Sequence, residues 1–282
     1  MKTLGVVGLG LIGGSLVKSY ERSEDWKIYG YDRDSRITQL ALLAEDIEEE
    51  LTADNIGDVD LLLLAVYPQA AVEYLQEMAK YISKDTLVID CCGVKRSVCE
   101  PCFKIAKEYG FTYVGGHPMA GRHSSGYKFS REDLFDGQPM VIVPERYDDI
   151  DEFSRIKEML SPAGFGSISI TTAEKHDQVI AFTSQLAHVV SNAYMKSPRA
   201  KRHKGFSAGS YRDLTRVARL NEVMWSELFL DNGDNLAEEL DHLIESLQEY
   251  RDCIRNGDRE KLEEILAEGS RIKVEIDGTG EN

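Results

Sequence analysis

A glycine-spaced loop near the start of this 282-residue chain, an aspartate after it, and a few histidines, a serine and an arginine further on are the residues that could do chemistry. Gly8-Leu9-Gly10-Leu11-Ile12-Gly13 is a G-x-G-x-x-G set between a strand-like run (3–8) and a run of helical spacing (11–20). That arrangement suits the pyrophosphate of a dinucleotide. Gly8 permits a tight turn, Gly10 lets the backbone approach the phosphates, and Gly13 allows close packing of helix on strand. The helix N-terminus adds unpaired N–H groups and a positive dipole end. Asp32 follows about 20 residues after the loop, at the end of a second strand, where a carboxylate accepts from the ribose hydroxyls and repels a 2′-phosphate. NAD is therefore the expected cofactor. Arg33 and Arg36 beside it are the features that would favour NADP.

Further on, Gly115-Gly116-His117-Pro118-Met119-Ala120-Gly121 follows a predicted strand at 112–114. This puts His117 in a loop at the carboxyl end of the sheet, the side on which doubly wound folds bind ligands. Ser184 and His188 are four apart and share one helix face, with Asp177 one helical repeat earlier on that face. Asp213-Leu214-Thr215-Arg216, Trp225 and Asn232 complete the set.

These residues need a scaffold, and the hydrophobic pattern supplies one. Strand-like runs at 3–8, 27–31, 60–66, 86–90, 112–114, 139–143 and 166–170 are separated by helical stretches near 11–20, 35–44, 70–82 and 94–108. The run Asp-Leu-Leu-Leu-Leu-Ala-Val at 60–66 is apolar throughout, as a parallel strand covered on both faces must be. The alternation predicts an α/β, Rossmann-like dinucleotide-binding domain over residues 1–171. From 172 the strand signals stop, and an all-α domain is expected over 172–282. Leu236, Leu240, Leu243, Leu247, Tyr250 and Ile254 step alternately by four and three, a seam that suits an intramolecular helix pair or an interchain contact.

Composition narrows the classes. Hydrophobic residues make up 42% and charged residues 29%, enough for real cores. A net charge of -16 argues against nucleic-acid binding, which needs a basic face to displace counterions. It also means that an anionic substrate must be drawn by a few local cations against the overall field. The apolar stretch 4–17 is too short to span a bilayer and lacks a signal-peptide pattern, so a cytoplasmic protein without membrane contact is expected. Five cysteines form no disulfide framework. Cys91, Cys92, Cys99 and Cys102 cluster, but adjacent cysteines diverge and Cys99-Glu100-Pro101-Cys102 falls on a predicted helix, so no metal site is expected.

The motifs VVGLGLIGGSL, DCCGVK, GGHPMAGRHSSG, REDLF, HDQVIAFTSQLAH and GFSAGSYRDLTRVA, in this order, resemble the prephenate dehydrogenase (TyrA) family over most of the chain. The resemblance implies an N-terminal Rossmann domain and a helical C-terminal domain that makes a homodimer, favouring the interchain reading of the seam. It implies NAD-dependent oxidative decarboxylation of prephenate, or of its amino analogue arogenate, in tyrosine biosynthesis. His117 would be the catalytic histidine at the ring hydroxyl, and Arg216 would bind a substrate carboxylate. Ser184 and His188 would line the site, with Asp177 near the substrate and Trp225 as a pocket wall.

The chain departs from the family pattern in several places. Gly93 stands where many relatives have a substrate-contacting serine, so Cys92 or a water is left to supply that hydrogen bond. Ala187 replaces a proline, which predicts a straighter helix. Arg122-His123-Ser124-Ser125-Gly126 replaces a stretch with an acidic residue, which should make the mouth of the site more attractive to a dianion. No fused mutase or regulatory domain is expected around the two domains. The basic run 199–204 suits a solvated loop or a steering patch. Two competing readings are a 3-hydroxy acid dehydrogenase, which relies on a lysine in its helical domain, and a non-enzymatic NAD sensor. His117 together with Arg216 speaks against both.

Overall fold

The computed structural model describes residues 1–23, 25–121, 125–203 and 205–278. Arg122, His123, Ser124 and Lys204, on which the readings of the loop mouth and of the basic run partly rest, lie outside the described residues.

The leucine run at 61–64 shows how the core is organised. In strand β4 (Leu61–Leu64), Leu61 and Leu63 enter one apolar cluster and Leu62 and Leu64 the other, all at most 1% exposed. A two-residue side-chain period on a strand sandwiched between helices requires this. Each leucine so buried contributes roughly 1.5–3 kcal/mol.

Around it, β1 (Lys2–Val7), helix α1 (Leu11–Glu21), β2 (Trp26–Tyr31), α2 (Ser35–Leu43) and the two-residue β3 (Glu49–Glu50) form the first half of the sheet. Helix α3 (Pro68–Met78), β5 (Leu87–Asp90), α4 (Arg96–Tyr109) and β6 (Thr112–Pro118) form the second. Strands β7 (Pro139–Val143) and β8 (Ser167–Ile170), flanking α5 (Ile150–Leu160), extend it. The order is β3-β2-β1-β4-β5-β6-β7-β8, with only β6 and β7 antiparallel. On one face Leu16, Val17, Ala41 and Ile156 from α1, α2 and α5 are buried. On the other lie Ala71 and Leu75 of α3 and Val98 and Cys102 of α4. The predicted Rossmann-like architecture is present.

One strand runs further than its sequence suggests. Residues 112–114 pair with β5, but Gly115, Gly116, His117 and Pro118 continue against β7, with His117 opposite Val141. The antiparallel neighbour takes up the backbone groups that β5 leaves behind. His117 therefore projects from sheet and not from a loop as expected.

Then follow α6 (Ala173–Ile180), a π-helical segment (Ala181–Leu186), α7 (Ala187–Tyr194), α8 (Gly209–Thr215) and α9 (Glu222–Asp231). The π segment lies directly before Ala187, so no proline is needed to produce it, and such segments frequently mark functional sites. It also breaks the register that was to put Asp177 on one face with Ser184.

The chain divides into two compact units, Met1–Gly233 and the residues from Asp234 on. The second holds most of α10 (Gly233–Asn256) together with α11 (Arg259–Asp277). Asp258 caps α11 by accepting from the Lys261 backbone N–H at 3.0 Å. The Tyr250 hydroxyl reaches the Ile265 carbonyl at 3.4 Å, joining the two helices as a hairpin. Leu247 and Ile254 of the predicted seam stay exposed.

Candidate active site

The glycine loop has the geometry that a dinucleotide needs. Gly8 has φ +87°, in the left-handed region that side chains avoid. A β-carbon on Gly13 would collide with the carbonyl oxygen of Gly8, whereas one on Gly10 would meet nothing within 4 Å. The helix is thus drawn tightly onto the turn while the outer side of the loop stays open. No side chain caps the N-terminus of α1, and no acidic residue occupies its first turn. Among its neighbours, Leu9 is fully buried and Leu11 and Ile12 are partly buried.

The Asp32 carboxylate accepts from the Leu9 and Asp34 backbone N–H groups, each at 2.9 Å, which holds it at the loop. Arg36 forks onto Asp34 through contacts of 2.8 and 2.7 Å, leaving exposed Arg33 as the nearer cation beside Asp32. These residues fit a dinucleotide with an unmodified ribose.

His117 lies three strands from β1 on the same carboxyl edge, about 14 Å across at the usual strand spacing. Its Nδ1 is 2.9 Å from Nε2 of His176, and Nδ1 of His176 is 2.7 Å from Oδ1 of Asp177. Burial, then the neighbouring His176 and the Lys95 ammonium, hold the His117 imidazolium well below the ordinary histidine range. His176 is lowered too, chiefly by burial, against the opposing pull of Asp177. Both rings are neutral near pH 7.

Asp177 does not stand open to a substrate as expected. Its side chain is fully buried, and its oxygens accept from the backbone N–H groups of Lys95 at 2.8 Å and Arg96 at 2.9 Å. It thereby caps the N-terminus of α4 from a distance in sequence. Burial alone would raise its pKa, but His176 and these two amides hold it below the usual carboxylate range.

Beneath His117, Lys95 and Asp90 form a fully buried ion pair. The Lys95 ammonium also donates to the Gly116 carbonyl at 2.6 Å, and Asp90 accepts from the Tyr113 hydroxyl at 2.6 Å and the Gly116 N–H at 3.1 Å. Two buried charges are tolerated only with such satisfaction, and here it locks the backbone on which His117 rides. Sequence reasoning did not single out His176, Lys95 or Asp90. The adjacent His176-Asp177 pair opening a helix was the available signal.

A second group gathers on the helices. The His188 ring nitrogen Nδ1 donates to the Ser184 carbonyl at 2.8 Å, and its ring packs 4.0 Å from Trp225. Ser184 sits in the π segment. The side chain of Gln185 donates to the Leu228 carbonyl at 2.9 Å, and buried Asn232 bridges the Asp177 carbonyl and Gln185, each at 2.8 Å. Arg216 is exposed just after α8. That segment is tied to α7 by Ser191 bonding to the Leu214 carbonyl at 2.7 Å and Asn192 to the Ala218 carbonyl at 3.0 Å.

Gly93 faces α9: a β-carbon there would meet Leu228 at 3.4 Å, an ordinary contact. Cys92 does not take the role suggested for it, because it is buried with its thiol directed at the Val66 carbonyl, 3.5 Å away. Cys99 and Cys102 are buried in α4, and burial raises both thiols to about 12.

The fold and the loop define a dinucleotide-binding protein of Rossmann type. Two family models then match the chain, the prephenate dehydrogenase nucleotide-binding domain over residues 17–168 and the prephenate dehydrogenase dimerization domain over residues 172–268. A cyclohexadienyl dehydrogenase of Zymomonas mobilis is 29% identical, over 98% of this chain and 96% of that protein. The prephenate dehydrogenase of Aquifex aeolicus in complex with hydroxyphenyl propionate and NAD+ superposes with a TM-score of 0.79 at 28% identity, over 98% of both chains. The arogenate dehydrogenase of Synechocystis gives 0.78 at 26% identity, over 96% of this chain and 99% of that one. The chain belongs to the prephenate dehydrogenase family.

Proposed function

We propose that this protein is an NAD-dependent oxidoreductase that converts prephenate to 4-hydroxyphenylpyruvate and carbon dioxide, in tyrosine biosynthesis. The observation that carries this reading is a His117 hydrogen-bonded to His176 on the sheet edge that also bears the dinucleotide loop. Bound NAD supplies the acceptor for the hydride that leaves C4 of the ring. Gly8, Leu9, Gly10, Leu11, Ile12 and Gly13 would hold its pyrophosphate, and Asp32 with Arg33 its adenosine end.

The protein's own part is proton handling and orientation. Nε2 of His117 takes the proton of the C4 hydroxyl as the carbon is oxidised. Loss of the C1 carboxylate as carbon dioxide returns its electron pair to the ring and makes it aromatic. His117 then gives the proton back to the phenolate oxygen. Arg216 receives a substrate carboxylate through a planar fork, which suits that group better than an ammonium does. Ser184, His188 and Trp225 line the pocket, Gly93 leaves room beside it, and Asp177 acts from behind through His176.

Residues 1–171 form the NAD-binding domain, and 172–282 form the substrate-binding and dimerisation domain of a cytoplasmic homodimer. The exposed apolar residues of α10 support an interchain seam. Among the described residues no helix is long and apolar enough to cross a membrane. Arogenate is the second reading, favoured by the likeness to the Synechocystis enzyme.

The test is formation of reduced nicotinamide by the purified chain with NAD and either acid, with NADP as control. Turnover with prephenate upholds the leading reading, and turnover with arogenate alone transfers it to the amino acid. NAD binding without turnover of either would make the protein a sensor.

A further inference from the structure

The histidine behind the candidate base links it to Asp177, and its surroundings say what that link does. Asp177 is an ionised carboxylate, which can only accept, so Nδ1 of His176 must carry a proton. A neutral His176 then has a bare Nε2, which can only accept. The 2.9 Å contact to His117 therefore requires the proton of His117 to sit on Nδ1. That leaves Nε2 of His117 with its lone pair, and this nitrogen makes no hydrogen bond among the described residues. An imidazole left to itself in water favours the opposite tautomer, with the proton on Nε2, and in that form Nε2 could not accept the substrate proton.

We propose that His176 and Asp177 are positioning residues that fix His117 in its Nδ1–H tautomer and so make Nε2 the proton acceptor. This rests on His117 being the base of the proposed reaction. The order of the chain cannot be reversed, because its far end is anchored by more than one donor. Asp177 is held by the Lys95 and Arg96 amides as well as by His176, and Asn232 fixes its backbone carbonyl. His176 is 3% exposed, so water does not compete for either of its nitrogens. When His117 takes up a proton, its Nδ1–H already points at an acceptor backed by a carboxylate. The positive charge is thus stabilised without any group having to turn.

The experiment uses full-length protein labelled with 15N-histidine, with ring nitrogens read by long-range proton–nitrogen correlation and His117 assigned by its loss in His117→Asn. The expected result is a neutral His117 protonated at Nδ1. In His176→Leu the proton should move to Nε2 and kcat should fall roughly 100-fold, while KM for substrate and NAD stays within about threefold. His176→Gln, whose amide oxygen can accept the same N–H, should restore the Nδ1–H tautomer and most of the lost kcat. A wild-type His117 protonated at Nε2 would overturn the proposal, as would a leucine variant with unchanged tautomer and kcat. Should the leucine variant fail to fold, the wild-type spectrum and the glutamine variant decide. The spectrum needs no substrate, so a chain that turned over neither acid would remove the reaction and leave the tautomer assignment to be judged by itself.

Discussion

His117 and His188 are the same side chain held in two different ways. His188 bonds to the carbonyl four residues before it on its own helix run, so its orientation is set locally. His117 bonds to a ring 59 residues away, which bonds in turn to a carboxylate that caps a third element. One ring is oriented by its neighbours in sequence and packed against Trp225, as suits a pocket wall. The other is oriented by a relay through the tertiary structure, as suits a base whose tautomer matters. Where a histidine's second nitrogen goes says more about its task than where the histidine sits.

Substitutions can break that contrast. His117→Asn should lower kcat about 1,000-fold with NAD affinity changed less than about twofold. An equal loss of both, by steady-state kinetics and cofactor titration, would remove His117 as the proton acceptor. Arg216→Ala should act on binding instead, raising KM for the acid roughly 10- to 100-fold with kcat little changed. An unmoved KM would end its role as carboxylate anchor.

The pH profile sharpens the same contrast. The base must be neutral, so activity is lost as pH falls through the pKa of His117. Burial, His176 and Lys95 lower that pKa well below 6.5. The nearby Asp90 is ion-paired with Lys95, and Asp177 meets His117 only through His176. The acid limb of kcat/KM should therefore lie well below 6.5, falling about tenfold per pH unit beyond it, and a limb at 6.5 or above would contradict the described surroundings.

His188→Asn keeps a donor near the Ser184 carbonyl and should cost only about 3- to 10-fold in kcat/KM. A loss as large as that of His117→Asn would erase the distinction between the two. The smallest effect is expected from Gly93→Ser. Its β-carbon would meet Leu228 at 3.4 Å, so thermal denaturation should move by no more than about 0.5 kcal/mol in stability.

The dinucleotide loop, Asp32 and the strand–helix alternation were legible in the sequence because each is a local device. A left-handed turn at Gly8, a helix start at 11 and an apolar strand at 61–64 are written in adjacent residues. The family motifs also marked His117, Ser184, His188, Arg216 and Trp225 as a set. Geometry then changed the reading at several of the marked places. His117 stands on extended sheet because β7 pairs antiparallel beyond the end of β5. Asp177 is a buried cap and not an open ligand, and a π segment interrupts the helix expected to align it with Ser184.

By itself the sequence determined what depends on backbone conformation and hydrophobic period: the doubly wound sheet, the phosphate-binding turn and the long helices after it. Only the tertiary structure decided which groups meet across 59 to 82 residues: His117 on His176, and Asp177 on the first amides of α4. The physical reason is that a local pattern fixes torsion angles and faces. A hydrogen bond between distant elements exists only once packing has closed the loop between them, and no pattern in either segment alone specifies the partner.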